Sequence, residues 1–382
     1  MASCMTETGT DNQSSLSPEL CVSTVSVPIT ETHLPSNLPP LIETDPLVAY
    51  LYIAIMCTAL MIGSFGNVLI LLVMTLVRGT QRTGKAFVIN LALADLCVAA
   101  IADPMCVTAV IKGEAWFNDK VWLCEAVASM CLTACFCAFL SLTLATLNRF
   151  VFICHNNWYE RLFTKFTCVA ACVGSWVVAF FFEFPNFLGW GGHYFDKKNH
   201  QCIWNRTNSF SYTLLVSAGL IGGPLTFMLL SHILIFRRIY RTKMSLYVFE
   251  EKDPTNKRKL WQEILRTSRM LLGIFCVFVV CWTPYSVVIV LDFSQRLSVE
   301  AHLFVTMLAH MHSSSNCLVY FIINPSFRKG VFRILGLSKC VTSGDISSTT
   351  YTESRGGDIT KISDSKSVLR TTVSASSSSS SQ

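Results

Sequence analysis

The chain has 382 residues, 52% of them hydrophobic and only 14% charged, with a formal net charge of +6. Soluble domains carry roughly 25% charged residues, so this composition excludes a soluble enzyme or a string of soluble domains. The excess of positive charge lies in short segments between apolar runs, where it marks membrane topology and not a nucleic-acid partner.

Residues 1–46 are rich in Ser, Thr and Pro, show no helical or strand period, and read as a disordered extracellular tail. They contain no basic segment followed by an apolar stretch, so no cleavable signal is expected and the first span acts as its own insertion signal. Seven apolar runs follow, at 47–77, 85–111, 121–154, 166–188, 212–236, 264–292 and 302–323. A spanning helix needs about 20 mostly apolar residues, because hydrocarbon cannot satisfy exposed backbone amides. The expected fold is an all-α membrane protein, a seven-transmembrane helix bundle over residues 47–337.

Residues 1–77 contain no Lys or Arg, whereas the first loop holds Arg78, Arg82 and Lys85. The connection between the fifth and sixth spans carries Arg237, Arg238, Arg241 and the run Lys257-Arg258-Lys259, and Arg328, Lys329 and Arg333 follow the seventh. These basic segments share a side with the C-terminus, which predicts a multi-pass plasma-membrane protein with its N-terminus outside and its C-terminus in the cytosol. Asn12 and Asn205 open glycosylation triplets on the outer side. Cys124 at the outer mouth of the third span and Cys202 in the following outer loop both face an oxidising compartment, and a disulfide between them is expected.

Residues 325–337 place Phe327, Val331, Phe332 and Leu335 on one helical stripe, the pattern of a short amphipathic helix on the lipids of the inner leaflet. Cys340 just beyond it is a candidate for palmitoylation. Residues 338–382 are dominated by Ser and Thr and read as a cytosolic phosphorylation platform.

Individual residues inside the spans discriminate further. The first span holds Gly66-Asn67, the second Asn90 and Asp95, the third ends in Asn148-Arg149-Phe150, and the fourth has Trp176. The fifth has Pro224, the sixth Phe278 and Cys281-Trp282-Thr-Pro284-Tyr285, and the seventh Asn316 with Tyr320. This set, in this order, resembles the rhodopsin-like (class A) G-protein-coupled receptors over residues 47–340. The run Asn148 to His155, followed by Tyr159-Glu-Arg-Leu-Phe163, resembles the melatonin-receptor-like group within them. The group's fifth-span histidine is Leu220 here, and the Gly189-Trp-Gly-Gly-His193 loop also differs, so the resemblance carries over fold and coupling and leaves the ligand open.

The resemblance implies an activation switch of Asn148, Arg149, Phe278, Trp282, Pro284, Asn316 and Tyr320. Asn148 stands where an acidic residue is usual, and Glu263 is the one nearby acid of the sixth span, so a strong ionic latch is not expected and basal activity should be higher than typical. Pro284 removes a backbone hydrogen bond and hinges the sixth helix, while Cys317 in place of a proline predicts a straighter seventh helix. Asp95 is an ionisable group in mid-membrane, costly without partners. With Asn67, Ser313 and Asn316 it forms the family's sodium site, weakened by Ala138 where a serine is frequent; a polar cluster without an ion is the alternative, and no other cofactor is expected.

The third-span residue that matches the aspartate of amine receptors is Cys131, and residues 302–323 contain no lysine for a retinal Schiff base. The expected pocket is Cys131, Leu132, Cys135, Val216, Leu220, Trp282, Tyr285, Ile289, Thr306 and His310, with Asp103 as a second polar anchor. Such a lining suits a small neutral or lipophilic extracellular ligand. The expected function is ligand-driven activation of a heterotrimeric G protein of the inhibitory class, without enzymatic chemistry, and with receptor kinases and arrestin reading the tail. A constitutively active or a peptide- or lipid-responsive receptor of the same fold is the alternative. A seven-helix transporter would need internal repeats, and none relates the two halves.

Overall fold

The structure, a computed structural model, describes residues 38–76, 84–248 and 254–337. Asn12, Cys340, most of the N-terminal segment and the Ser/Thr-rich tail lie outside the described residues. The first span is Pro46–Leu76, the second Lys85–Asn118, the third Val121–Cys154 and the fourth Lys165–Glu183. The fifth begins at Phe210 and ends with Gly223–Val248, and the sixth is Pro254–Leu291. Six helices among the described residues are long and apolar enough to cross a membrane. The third packs against the second, fourth and fifth and forms the centre of the bundle.

The seventh span is two 12-residue helices, Val299–His310 and His312–Ile323. The two meet at Met311, whose φ of -63° and ψ of -13° stay in the helical region. The interruption at Met311 has a local cause in the run His312-Ser313-Ser314-Ser315. His312 Nδ1 bonds the Ala309 carbonyl at 2.7 Å, Ser313 Oγ donates to the His310 carbonyl at 3.0 Å, and Ser315 Oγ donates to that of Met311 at 2.8 Å. Side chains that occupy backbone carbonyls compete with the helical ladder and bend it.

Two spans contain wide turns that hydrophobic patterning could not reveal, Val98–Ala102 in the second and Leu215–Gly222 in the fifth. Asp103 N–H bonds Val98 O and Gly223 N–H bonds Ala218 O, each five residues back. Each wide turn ends two residues before a proline, Pro104 or Pro224. Proline has no N–H to donate and crowds the preceding turn, and an i→i+5 turn absorbs the mismatch. The first of these turns leaves Asp103 fully buried.

Residues 38–45, assigned to the tail from sequence, carry a helical turn, Leu41–Thr44, with Leu41 buried and the Leu38 amide donating to Glu114 Oε2 at 2.8 Å. After the seventh span, Pro325–Ile334 forms the expected amphipathic helix, capped by Asn324, with Phe327 and Val331 buried. Leu335 falls beyond its end and is exposed.

Gly66 permits the first and seventh spans to meet, since a Cβ there would overlap Cys317 Sγ. Gly66→Ala is expected to cost about 1–3 kcal/mol through overpacking, read as a lower unfolding temperature of the purified chain. An unchanged unfolding temperature would refute this close approach.

Candidate ligand pocket and the path below it

A cavity opens among the second, third, fifth, sixth and seventh spans. Of the residues expected from sequence, Cys131, Leu132 and Cys135 line it from the third span, and Val216 from the fifth. Trp282 and Tyr285 line it from the sixth, and Thr306 and His310 from the seventh. Leu220 and Ile289 are absent from the lining and are packed into the core, 5% and 1% exposed. Leu220 sits in the wide turn of the fifth span, which shifts the helical register that the expectation assumed.

The cover of the pocket was not legible in sequence. Strands His193–Asp196 and Gln201–Trp204 pair antiparallel, with Phe195 opposite Cys202, and the second strand lines the cavity. The disulfide between Cys124 and Cys202 pins this hairpin to the third span. Cys202 was the available signal: a tethered cysteine brings its neighbours with it.

Polar groups in the lining are mostly paired. His310 Nδ1 lies 2.8 Å from Asp103 Oδ1, and its Nε2 lies 3.9 Å from Cys131 Sγ. Thr306 Oγ1 donates to Asn199 Oδ1 at 2.6 Å, and Trp204 Nε1 donates to Tyr285 Oη at 3.0 Å. Asn205 Oδ1 accepts from the Thr207 amide and hydroxyl at 3.1 and 2.9 Å.

A buried arginine knits the cover to the bundle. Arg206 is 1% exposed; its Nη2 lies 3.2 Å from His302 Nδ1, its Nη1 donates to the Asp292 carbonyl at 3.4 Å, and its Nε lies 3.8 Å from Asp196 Oδ2. Arginine has only donors, so His302 Nδ1 accepts, and Nε2 donates to Asp292 Oδ2 at 2.7 Å. Asp196 also accepts from Asn199 Nδ2 at 2.5 Å. Burial, with Asp196 adding to it, pushes the Tyr194 phenol above its ordinary range, while burial holds His200 below its own. Nearby, Glu183 Oε1 meets His193 Nε2 at 2.5 Å, and Asn186 Nδ2 donates to Glu183 Oε2 at 2.9 Å.

Beneath the pocket the Trp282 ring stands 5.0 Å from Phe139 and 5.3 Å from His312, and Phe278 lies 5.1 Å from each of the same two rings. His312 Nε2 lies 3.7 Å from Asp95 Oδ1, and Asn316 Nδ2 donates to Asp95 Oδ2 at 2.6 Å. Asn67 Nδ2 donates to the carbonyls of Gly63 and Ser313, both at 2.9 Å. Asn90 forms a separate cluster, donating to Ser141 Oγ at 2.7 Å and Ser175 Oγ at 2.9 Å and accepting from Trp176 Nε1 at 3.0 Å. At the end of the third span opposite the disulfide, Asn148 Nδ2 donates to Tyr159 Oη at 3.3 Å, and the Arg149 guanidinium lies 5.9 Å from the Phe152 ring. Tyr320 is buried against Phe327, with ring centroids 5.8 Å apart. The sixth helix runs unbroken through Pro284.

Residues 66–320 match the family model described as 7 transmembrane receptor (rhodopsin family). The chain belongs to the rhodopsin family of seven-transmembrane receptors. It is 27% identical over 303 residues to the melatonin receptor type 1B of Mus musculus, covering 78% of this chain and 81% of that one. It is 26% identical over 289 residues to the melatonin receptor type 1C of Gallus gallus, covering 74% and 81%. The structure of squid rhodopsin shares the fold, with a TM-score of 0.65 at 16% identity, over 76% of this chain and 86% of that one. Within this family the receptor is an integral membrane protein of receptor and not enzyme type. Its seventh span has no lysine, and His310 occupies the pocket-facing place there.

Proposed function

We propose that the chain is a plasma-membrane receptor, N-terminus outside, that binds a small neutral or lipophilic ligand and activates an inhibitory-class G protein. The observation that carries this reading is the apolar pocket lined at its base by Trp282, whose ring meets His312, which in turn faces Asp95. A ligand pressing on Trp282 would alter packing against Phe139 and Phe278 and so bias the sixth helix, hinged at Pro284 where Val280 O receives no proline N–H. A ligand shifts such an equilibrium only by its differential affinity for the two helix packings. Arg149, Tyr320 and the basic residues between the fifth and sixth spans form the G-protein surface; the phosphorylated tail recruits arrestin.

The melatonin receptors among the relatives make melatonin the first ligand to test. In forskolin-treated cells expressing the chain, micromolar melatonin or another neutral lipophilic ligand is expected to lower cAMP, and pertussis toxin to remove the effect. A rise in cAMP, or a toxin-resistant fall, would overturn the inhibitory assignment. The Asn148 contact with Tyr159, in the place of a carboxylate restraint on Arg149, favours a second feature, a basal signal without ligand.

Asp95 supports a sodium site. Asp95 Oδ1, Asn67 Oδ1 and Asn316 Oδ1 are buried without a hydrogen-bond partner among the described residues, and so is His312 Nε2. His312 Nδ1 gives its proton to the Ala309 carbonyl, so the neutral ring presents a lone pair at Nε2. Lone pairs gathered around one buried carboxylate fit a cation. Asp95, Asn67 and Asn316 would hold it, with Ser313 contributing through its backbone contact to Asn67, and the ion would supply charge neutralisation there. Sodium chloride is expected to raise the unfolding temperature above that in choline chloride, and Asp95→Asn to erase the difference. An equal sodium effect in the variant would remove the site.

A further inference from the structure

We propose that Cys131 is a nucleophilic thiol that captures small apolar α,β-unsaturated carbonyl compounds, with His310 as its base and Asp103 as the group that orients the base. The inference rests on the reading of the cavity as the ligand site.

Three spans bring these side chains together. Asp103 comes from the turn after the wide segment of the second span and is fully buried, Cys131 from the third, and His310, 7% exposed, from the end of the first half of the seventh. An ionised Asp103 can only accept, so His310 Nδ1 at 2.8 Å carries the proton, and in the neutral ring Nε2 keeps its lone pair. That lone pair lies 3.9 Å from Cys131 Sγ, at the outer limit of a sulfur hydrogen bond and open to tightening when a ligand enters. Nucleophile, base and orienting carboxylate form a chain of the kind that activates a thiol. Cys131 and His310 both line the cavity.

The same cavity offers a donor for the oxygen of such a ligand. Tyr285 Oη accepts from Trp204 Nε1, which leaves its own proton without an acceptor among the described residues. A carbonyl oxygen placed there would receive that proton in a hydrogen bond where negative charge develops during addition. The lining is otherwise apolar, with Leu132, Val216 and Ala309 in it, which selects a ligand with a hydrocarbon body.

The step balances without a further reagent. The Cys131 thiol proton passes to His310 Nε2, and the sulfur forms a bond to the β-carbon of the ligand. The carbon–carbon π pair moves toward the carbonyl as an enolate, and His310 returns the proton to the α-carbon. The product is the sum of thiol and enone.

The full chain, purified in detergent, is treated with 1-octen-3-one or with the saturated 3-octanone, and adducts are located by peptide mass mapping over time. The exposed Cys57 and Cys276 serve as internal references. Modification of Cys131 ahead of both references, by the enone alone, is expected. His310→Gln should slow it by about 100-fold, the contribution of a positioned base, and Asp103→Asn should act in the same direction, with the references unchanged. An unmodified Cys131 beside reacted references overturns the proposal, as does a wild-type rate in both variants. The comparison within the wild-type chain stands even if a variant fails to fold. Adduct formation without any change in nucleotide exchange on a G protein upholds the thiol chemistry and contradicts the proposed coupling. A reversible ligand that signals through a receptor whose Cys131 is inert overturns this inference alone.

Discussion

Arg149→Ala is expected to abolish G-protein activation, basal and ligand-driven, in a receptor that still reaches the cell surface. The guanidinium sits at the end of the third span, 5.9 Å from the Phe152 ring and in the field of Glu263, and the neighbouring Asn148 is engaged by Tyr159. In the proposed active packing this cation is the group presented to the G protein, so truncation removes the contact that only the active state makes. The loss is expected to be complete in a cAMP assay, with surface immunostaining within about twofold of wild type. A variant that signals normally would strip Arg149 of its assigned role.

Arg206→Ala is expected to be the most destabilising single change in the cover of the pocket. It would leave Asp196, 1% exposed, without its cation, the Asp292 carbonyl without the Nη1 hydrogen bond, and His302 Nδ1 without its donor. Removing one partner of a buried ion pair costs about 3–5 kcal/mol, because the other charge stays behind. Thermal unfolding of the purified chain should show this loss, and Arg206→Lys should recover only part of it, since one ammonium cannot serve His302, Asp292 and Asp196 in a fixed fork. Cys202→Ser acts on the same cover: the bridge closes a separation of 78 residues, and its loss should cost about 2–5 kcal/mol. Wild-type stability in Arg206→Ala would show that the network is incidental.

Hydrophobic runs located every span, because the bilayer imposes one length on all of them. The third, expected at 121–154, is found at Val121–Cys154. The Cys124–Cys202 pairing was legible because both cysteines fall at one end of the bundle in a chain whose other described cysteines are inside spans. Harder to read were features set by backbone hydrogen bonds. The wide turns before Pro104 and Pro224 leave no hydrophobic signature, yet they decide that Asp103 is buried and that Leu220 misses the pocket. The interruption at Met311 lies where serine hydroxyls bond the carbonyls of His310 and Met311, a feature without hydrophobic signature. Arg206 read as part of a glycosylation triplet and gave no hint of burial; its partners lie 86 and 96 residues away.

Receptor activity is tested most directly by nucleotide exchange on a purified inhibitory-class heterotrimer with the wild-type chain in lipid nanodiscs. The chain is expected to accelerate GDP release, a ligand occupying the pocket to change the rate, and Trp282→Ala to uncouple ligand from rate while binding persists. A ligand shown to occupy the pocket, with no acceleration on any G-protein class, would contradict receptor activity.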